Sequence, residues 1–144
     1  MTYLLDVNVL LALCDSGHAF STAAHRWWAK RGSESWATCP ITENGFVRIA
    51  SNPSYPNPSN GADIALMVLN DFCSRDGHIF WADDVSLREI LVKGQVLTHT
   101  QITDVYLLAL AARHGGKLAT FDKTISTKYV KESSQALEVI SLGA

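Results

Sequence analysis

Asp6, Glu43, Asp104 and Asp122 are the residues of this chain whose type and placement best suit chemistry. Each stands in or beside an apolar run: Asp6 within MTYLLDVNVLLAL, with Asn8 two residues on; Glu43 in ITENGFVRI; Asp104 in QITDVYLLALAAR; and Asp122 closing KLATFD. Taken one at a time, each has a local explanation, because an acid at an N-cap or in a helix's first turn is favoured by free amides and by the helix dipole. Taken together they conflict. Two carboxylates about 5 Å apart at an effective dielectric near 20 repel by roughly 3 kcal/mol, and a buried carboxylate without a partner is costly in itself. A divalent cation removes both penalties. Hard oxygen ligands without a His–Cys spacing motif select Mg²⁺ or Mn²⁺ over Zn²⁺. Such an ion lowers the pKa of an attacking water and offsets charge on a phosphate, so phosphodiester hydrolysis is the natural reaction. The same acids also suit a phosphoacceptor pocket of the receiver type, and spacing alone leaves both readings open.

The elements that must position these acids follow from periodicity. Tyr3-Leu4-Leu5 reads as a short buried strand, and the apolar run from Val7 to Leu13 is too long to continue it, so a helix starts at or just after Asp6. His18 to Arg31 carries Phe20, Ala23, Ala24, Trp27 and Trp28 on one helical stripe, with Gly32 as C-cap. Ser35 to Cys39 is a second strand, and Pro40 opens a helix over Ile41 to Ala50. Ser51 to Gly61, with three prolines among Asn and Ser, is a loop. Helical spacing resumes from Ala62 to Arg75, Ile79 to Trp81 is a strand, and Asp84 is the predicted N-cap of a helix over Val85 to Val92. Ile102 to Arg113 is the clearest helix, ended by Gly115-Gly116. Lys117 to Thr120 is a strand, Phe121-Asp122 leads into a helical turn, and Leu137 to Leu142 is the last strand. This alternation predicts one α/β domain over residues 1–144, a three-layer α/β/α sandwich around a mainly parallel sheet, with the acids gathered at the carboxyl edge of the strands.

Composition narrows the function classes. A net charge of −2 excludes a globally basic protein, so contact with nucleic acid must come from local Lys and Arg. Cys14, Cys39 and Cys73 are widely spaced with no CxxC pair, so neither a disulfide framework nor a zinc knot is expected and a reducing cytoplasm fits. No stretch is long and apolar enough for a spanning helix, and no basic n-region stands before the short N-terminal apolar run, so neither export nor membrane insertion is expected.

LLDVNVLLAL around Asp6, ITENGFVRI around Glu43 and QITDVYLLALAARHGGKLATFD carrying Asp104 and Asp122 resemble the PIN-domain ribonucleases, in particular the VapC toxins of bacterial toxin–antitoxin modules. PNPSNGAD and WADDVSLREI are similar to one VapC subgroup. The resemblance implies a metal-binding pocket of Asp6, Glu43, Asp104 and Asp122, with Asn8 and Thr120 supporting it by hydrogen bonds. It also implies Mg²⁺- or Mn²⁺-dependent cleavage of RNA, a homodimer, and a VapB-type antitoxin that blocks the site. Asp122 occupies the most variable position of the set. A catalytically silent protein-binding module of the same fold is the remaining alternative.

Other residues carry weaker signals. Trp27 and Trp28 suit base stacking or a dimer surface, but an amphipathic helix places at least one in the core. Arg48, one turn beyond Glu43, suits either a substrate phosphate or an internal ion pair. Lys123 and Lys128 read as solvated surface. The five histidines form no HxxxH or HxH pattern, which speaks against a histidine-ligated metal. Cys14 reads as a small apolar residue rather than a nucleophile.

Overall fold

The computed structural model describes residues 1–143. The strands are β1 (Tyr3–Leu5), β2 (Trp36–Thr38), β3 (His78–Phe80), β4 (Lys117–Thr120) and β5 (Leu137–Val139). They pair in parallel throughout, in the order β3-β2-β1-β4-β5. The helices are α1 (Val7–Cys14), α2 (Ser21–Arg31), α3 (Pro40–Ala50), α4 (Ala62–Cys73), α5 (Leu87–Ile90) and α6 (Ile102–Arg113). This is the expected three-layer α/β/α sandwich.

Period-two alternation divides the core between the sheet's two faces. Leu5, Trp36 and Ala119 pack with residues of α1 to α4 on one face, while Leu4, Ala37 and Leu118 pack with α6 and the segment around α5 on the other. Burial on both faces explains why β1 shows an apolar run rather than an alternating one. Because β1 is central, its last residue hands directly to a helix: the Asp6 N–H donates to Ala119 C=O at 3.0 Å, and its own carbonyl accepts the first bond of α1 from Leu10 N–H, also at 3.0 Å.

The α4 helix ends at Cys73 rather than Arg75, and β2, β3 and β5 are each shorter than, or shifted by one residue from, their predicted spans. Two helices differ more. Residues 18–20 form a turn, closed by Ser21 N–H to His18 C=O at 3.0 Å, so α2 starts at Ser21. The predicted helix over Val85 to Val92 shrinks to the single turn of α5, capped by Ser86 rather than Asp84. Its continuation is prevented by an antiparallel bridge between Leu91 and Val130, with Val92 N–H donating to Tyr129 C=O at 3.0 Å. Asp84 faces His114 instead, 3.3 Å from its Nε2.

Candidate metal centre

Asp6 caps α1. One carboxylate oxygen accepts the Val7 N–H at 2.8 Å and the other accepts the Thr120 hydroxyl at 2.8 Å. Thr120 is buried at the end of β4, and its hydroxyl also accepts the Asp122 N–H at 3.1 Å, so one side chain fixes both the first acid and the backbone of the last. Burial pushes the Asp6 carboxyl above its ordinary value; the bonds to Thr120 and Val7 oppose that rise, and the nearby Asp122 charge adds to it.

Asp104 lies in the first turn of α6. Burial raises its carboxyl to about 6, with further contributions from the charges of Asp6 and Asp122. Asp122 turns one oxygen onto the Thr124 N–H and hydroxyl, at 2.8 and 2.6 Å, which holds the chain in an Asx turn after β4. Three acids from distant parts of the chain therefore act on one another's charge, and among the described residues no basic nitrogen lies within salt-bridge distance of any of them. Such a set suits a hard divalent cation by its donor chemistry. Their ligand oxygens do not all lie within 4.8 Å of one another.

Glu43 sits in the first turn of α3, which β2 enters through Cys39 and Pro40. The buried Thr42 hydroxyl accepts the Cys39 N–H at 3.0 Å and fixes that entry. The Glu43 carboxylate accepts the hydroxyl of Thr38, at the end of β2, at 2.7 Å. Thr38 thus stands to Glu43 as Thr120 stands to Asp6. On its other side the same hydroxyl lies 2.7 Å from His78 Nε2. Glu43, Cys73 and His78 bring ligand atoms within 4.8 Å of one another, and they are the one such group among the described residues. Nothing in the spacing of the chain pointed to Thr38, Cys73 or His78; a buried threonine closing a strand shortly before an acid, repeated at Thr38 and Thr120, is the available signal.

Asn8 is exposed on α1 and makes no hydrogen bond to the acids among the described residues; the support expected of it is supplied by Thr120. Arg48 is exposed and free of salt bridges among those residues, and it borders two grooves, one with Glu43 and Leu66, the other with Val7 and Thr103. Trp28 packs against Trp36 and Phe72, and Trp27 stands edge-on to Tyr3 while its indole N–H donates to Glu138 at 3.2 Å. Both are therefore built into the fold. Burial pushes the Cys14 thiol up to about 12, which removes it as a nucleophile. Lys123 and Lys128 are exposed. Among the described residues, no helix is long and apolar enough to cross a membrane.

Residues 3–131 match the family model of the PIN domain. Ribonuclease VapC39 of Mycobacterium tuberculosis is 47% identical over 128 residues, covering 88% of this chain and 92% of the relative. Ribonuclease VapC44 of the same organism is 43% identical over 128 residues, with 88% and 89% covered, and Ribonuclease VapC38 is 37% identical over 139 residues, with 96% and 98% covered.

Proposed function

This chain belongs to the PIN-domain family, and from that premise we propose that it is a divalent-metal-dependent endoribonuclease, the toxin of a toxin–antitoxin module. The observation that carries the reading is the gathering of Asp6, Asp104 and Asp122, with the Asp6 carboxylate and the Asp122 backbone both tied to Thr120 and, among the described residues, no basic nitrogen within salt-bridge distance of any of the three. The names of the VapC ribonucleases, similar over most of this chain, support RNA as the substrate.

On this reading Asp6, Glu43 and Asp104 hold Mg²⁺ or Mn²⁺, and Asp122 ligates or positions a second metal or a water. When bound, the cation lowers the pKa of an attacking water and offsets charge on the scissile phosphate. Thr120 keeps the Asp6 carboxylate in one orientation, and Thr38 does the same for Glu43, so that less ordering remains to be done when substrate arrives. Asn8 presents its amide to solvent on the first turn of α1, suited to hydrogen-bonding water around the acids. Arg48 has no salt bridge among the described residues and is exposed on the neighbouring surface, suited to a phosphate flanking the scissile bond. The partners of this reading are RNA, a VapB-type antitoxin with a basic side chain for the acids, and a second copy of the chain, all in the cytoplasm.

Incubation with a mixed RNA pool and Mg²⁺ or Mn²⁺ tests it, beside a chelator control and Asp6→Asn. Strand scission that needs the metal and disappears in Asp6→Asn is the expected result. An acyl-phosphate after exposure to a small phosphodonor, without scission, would favour the phosphoacceptor alternative, and equal scission by Asp6→Asn would remove the assignment of Asp6.

A further inference from the structure

We propose that Glu43, Cys73 and His78 form a second cation site, distinct in chemistry from the aspartate pocket and suited to a thiophilic divalent ion of the Zn²⁺ class. The three come from separate elements: Glu43 from the first turn of α3, Cys73 from the last residue of α4 and His78 from the first residue of β3. Parallel pairing sets Trp36 opposite His78 and Thr38 opposite Phe80, so Trp36, Thr38 and His78 share one face of the sheet. The His78 ring packs on Trp36 with centroids 4.6 Å apart, which orients the imidazole toward Thr38.

One sulfur, one nitrogen and one oxygen donor within 4.8 Å make a borderline-soft set. Tetrahedral Zn²⁺ holds such ligands at about 2.0–2.3 Å, hence roughly 3.5 Å from one another, so closure requires about an ångström of side-chain movement. None of the three is fully buried, which leaves an approach from solvent. Three protein ligands leave a fourth position for water.

Without the ion, the buried Thr38 hydroxyl bridges the group. Its single hydrogen goes to Glu43, so His78 Nε2 must carry a proton and donate it to the Thr38 oxygen. Binding through Nε2 requires that proton to move to Nδ1, and the Cys73 thiol to release its proton to water as the metal–sulfur bond forms. Thr38 then gives up its bridging role. Glu43 cannot serve this ion and the aspartate pocket equally, so occupancy withdraws an acid from the nuclease site. That inhibitory consequence rests on the proposed endoribonuclease reading; the binding itself does not.

Co²⁺ added to the purified protein in the presence of excess Mg²⁺ is the probe, because a thiolate bound to Co²⁺ gives a near-ultraviolet charge-transfer band and tetrahedral Co²⁺ gives visible d–d bands. The wild type is expected to develop both to one equivalent, and Zn²⁺ to bleach them. Cys73→Ser is expected to lose the charge-transfer band, and His78→Asn to weaken binding at least tenfold. Absence of the bands from wild type, or their persistence in folded Cys73→Ser, overturns the site. The ratio of RNA cleavage with and without micromolar Zn²⁺ tests the regulation: inhibition at least tenfold stronger in wild type than in Cys73→Ser supports it, and equal inhibition overturns it. Cobalt bands from a protein that cleaves no RNA under any condition would sustain the site and defeat the nuclease reading.

Discussion

Asp104 carries the clearest electrostatic consequence. Its carboxyl is raised from 3.8 to about 6 by burial and by the charges of Asp6 and Asp122, so the folded metal-free protein binds more protons there than the unfolded chain between those values. Stability contributed by the protonated acid is therefore full below about pH 4 and is lost as pH rises through about 6. Asp104→Asn removes this loss. Denaturant titrations of the chelated protein should show the mutant gaining stability relative to wild type from pH 4 to pH 7, and a constant difference would deny the shift. Asp6, Glu43, Asp104 and Asp122 could be picked out from the sequence because each follows a strand or opens a helix, where free amides and the sheet edge recur by rule. Cys73 and His78 could not, because neither lies near Glu43 along the chain: His78 meets it through the pairing of β3 with β2, and Cys73 through the packing of α4 against α3.

At the level of elements, the turn between α6 and β4 decides where Asp104 and Asp122 lie. Gly115 ends the helix with φ at +67°, a left-handed conformation that favours glycine, and has open space around it. Gly116 is different: it is buried, and a Cβ there would run into the Thr2 carbonyl and the Trp81 ring. Gly116→Ala should lower stability by about 2 kcal/mol and the melting temperature by roughly 5 °C, while Gly115→Asn should cost under about 1 kcal/mol. Equal effects in thermal melts would refute this division of labour. The helix of Ile102–Arg113 was readable to its end residues because its apolar stripe and its double glycine agree. The segment after Trp81 was not, since the bridge between Leu91 and Val130 overrides its local helical preference.

Across the whole molecule, an acidic protein that handles a polyanion must place its few free cations near the scissile phosphate, because a net charge of −2 gives no general attraction. Arg48, exposed between grooves that reach Glu43 on one side and Thr103 on the other, is the cation proposed for that place. Arg48→Ala should raise KM for RNA by about tenfold with a smaller change in kcat, and should reduce the salt slope of RNA binding by about 1. A change confined to kcat would move Arg48 from substrate binding to chemistry. On the proposed reading, the shared charge of the three acids is offset by a bound divalent cation. Calorimetric titration of Mg²⁺ into the chelator-stripped wild type and Asp104→Asn measures that directly. Saturable uptake by wild type, weakened at least tenfold in the mutant, is the expected result; no uptake by wild type, or undiminished uptake by a folded Asp104→Asn, would contradict the metal centre.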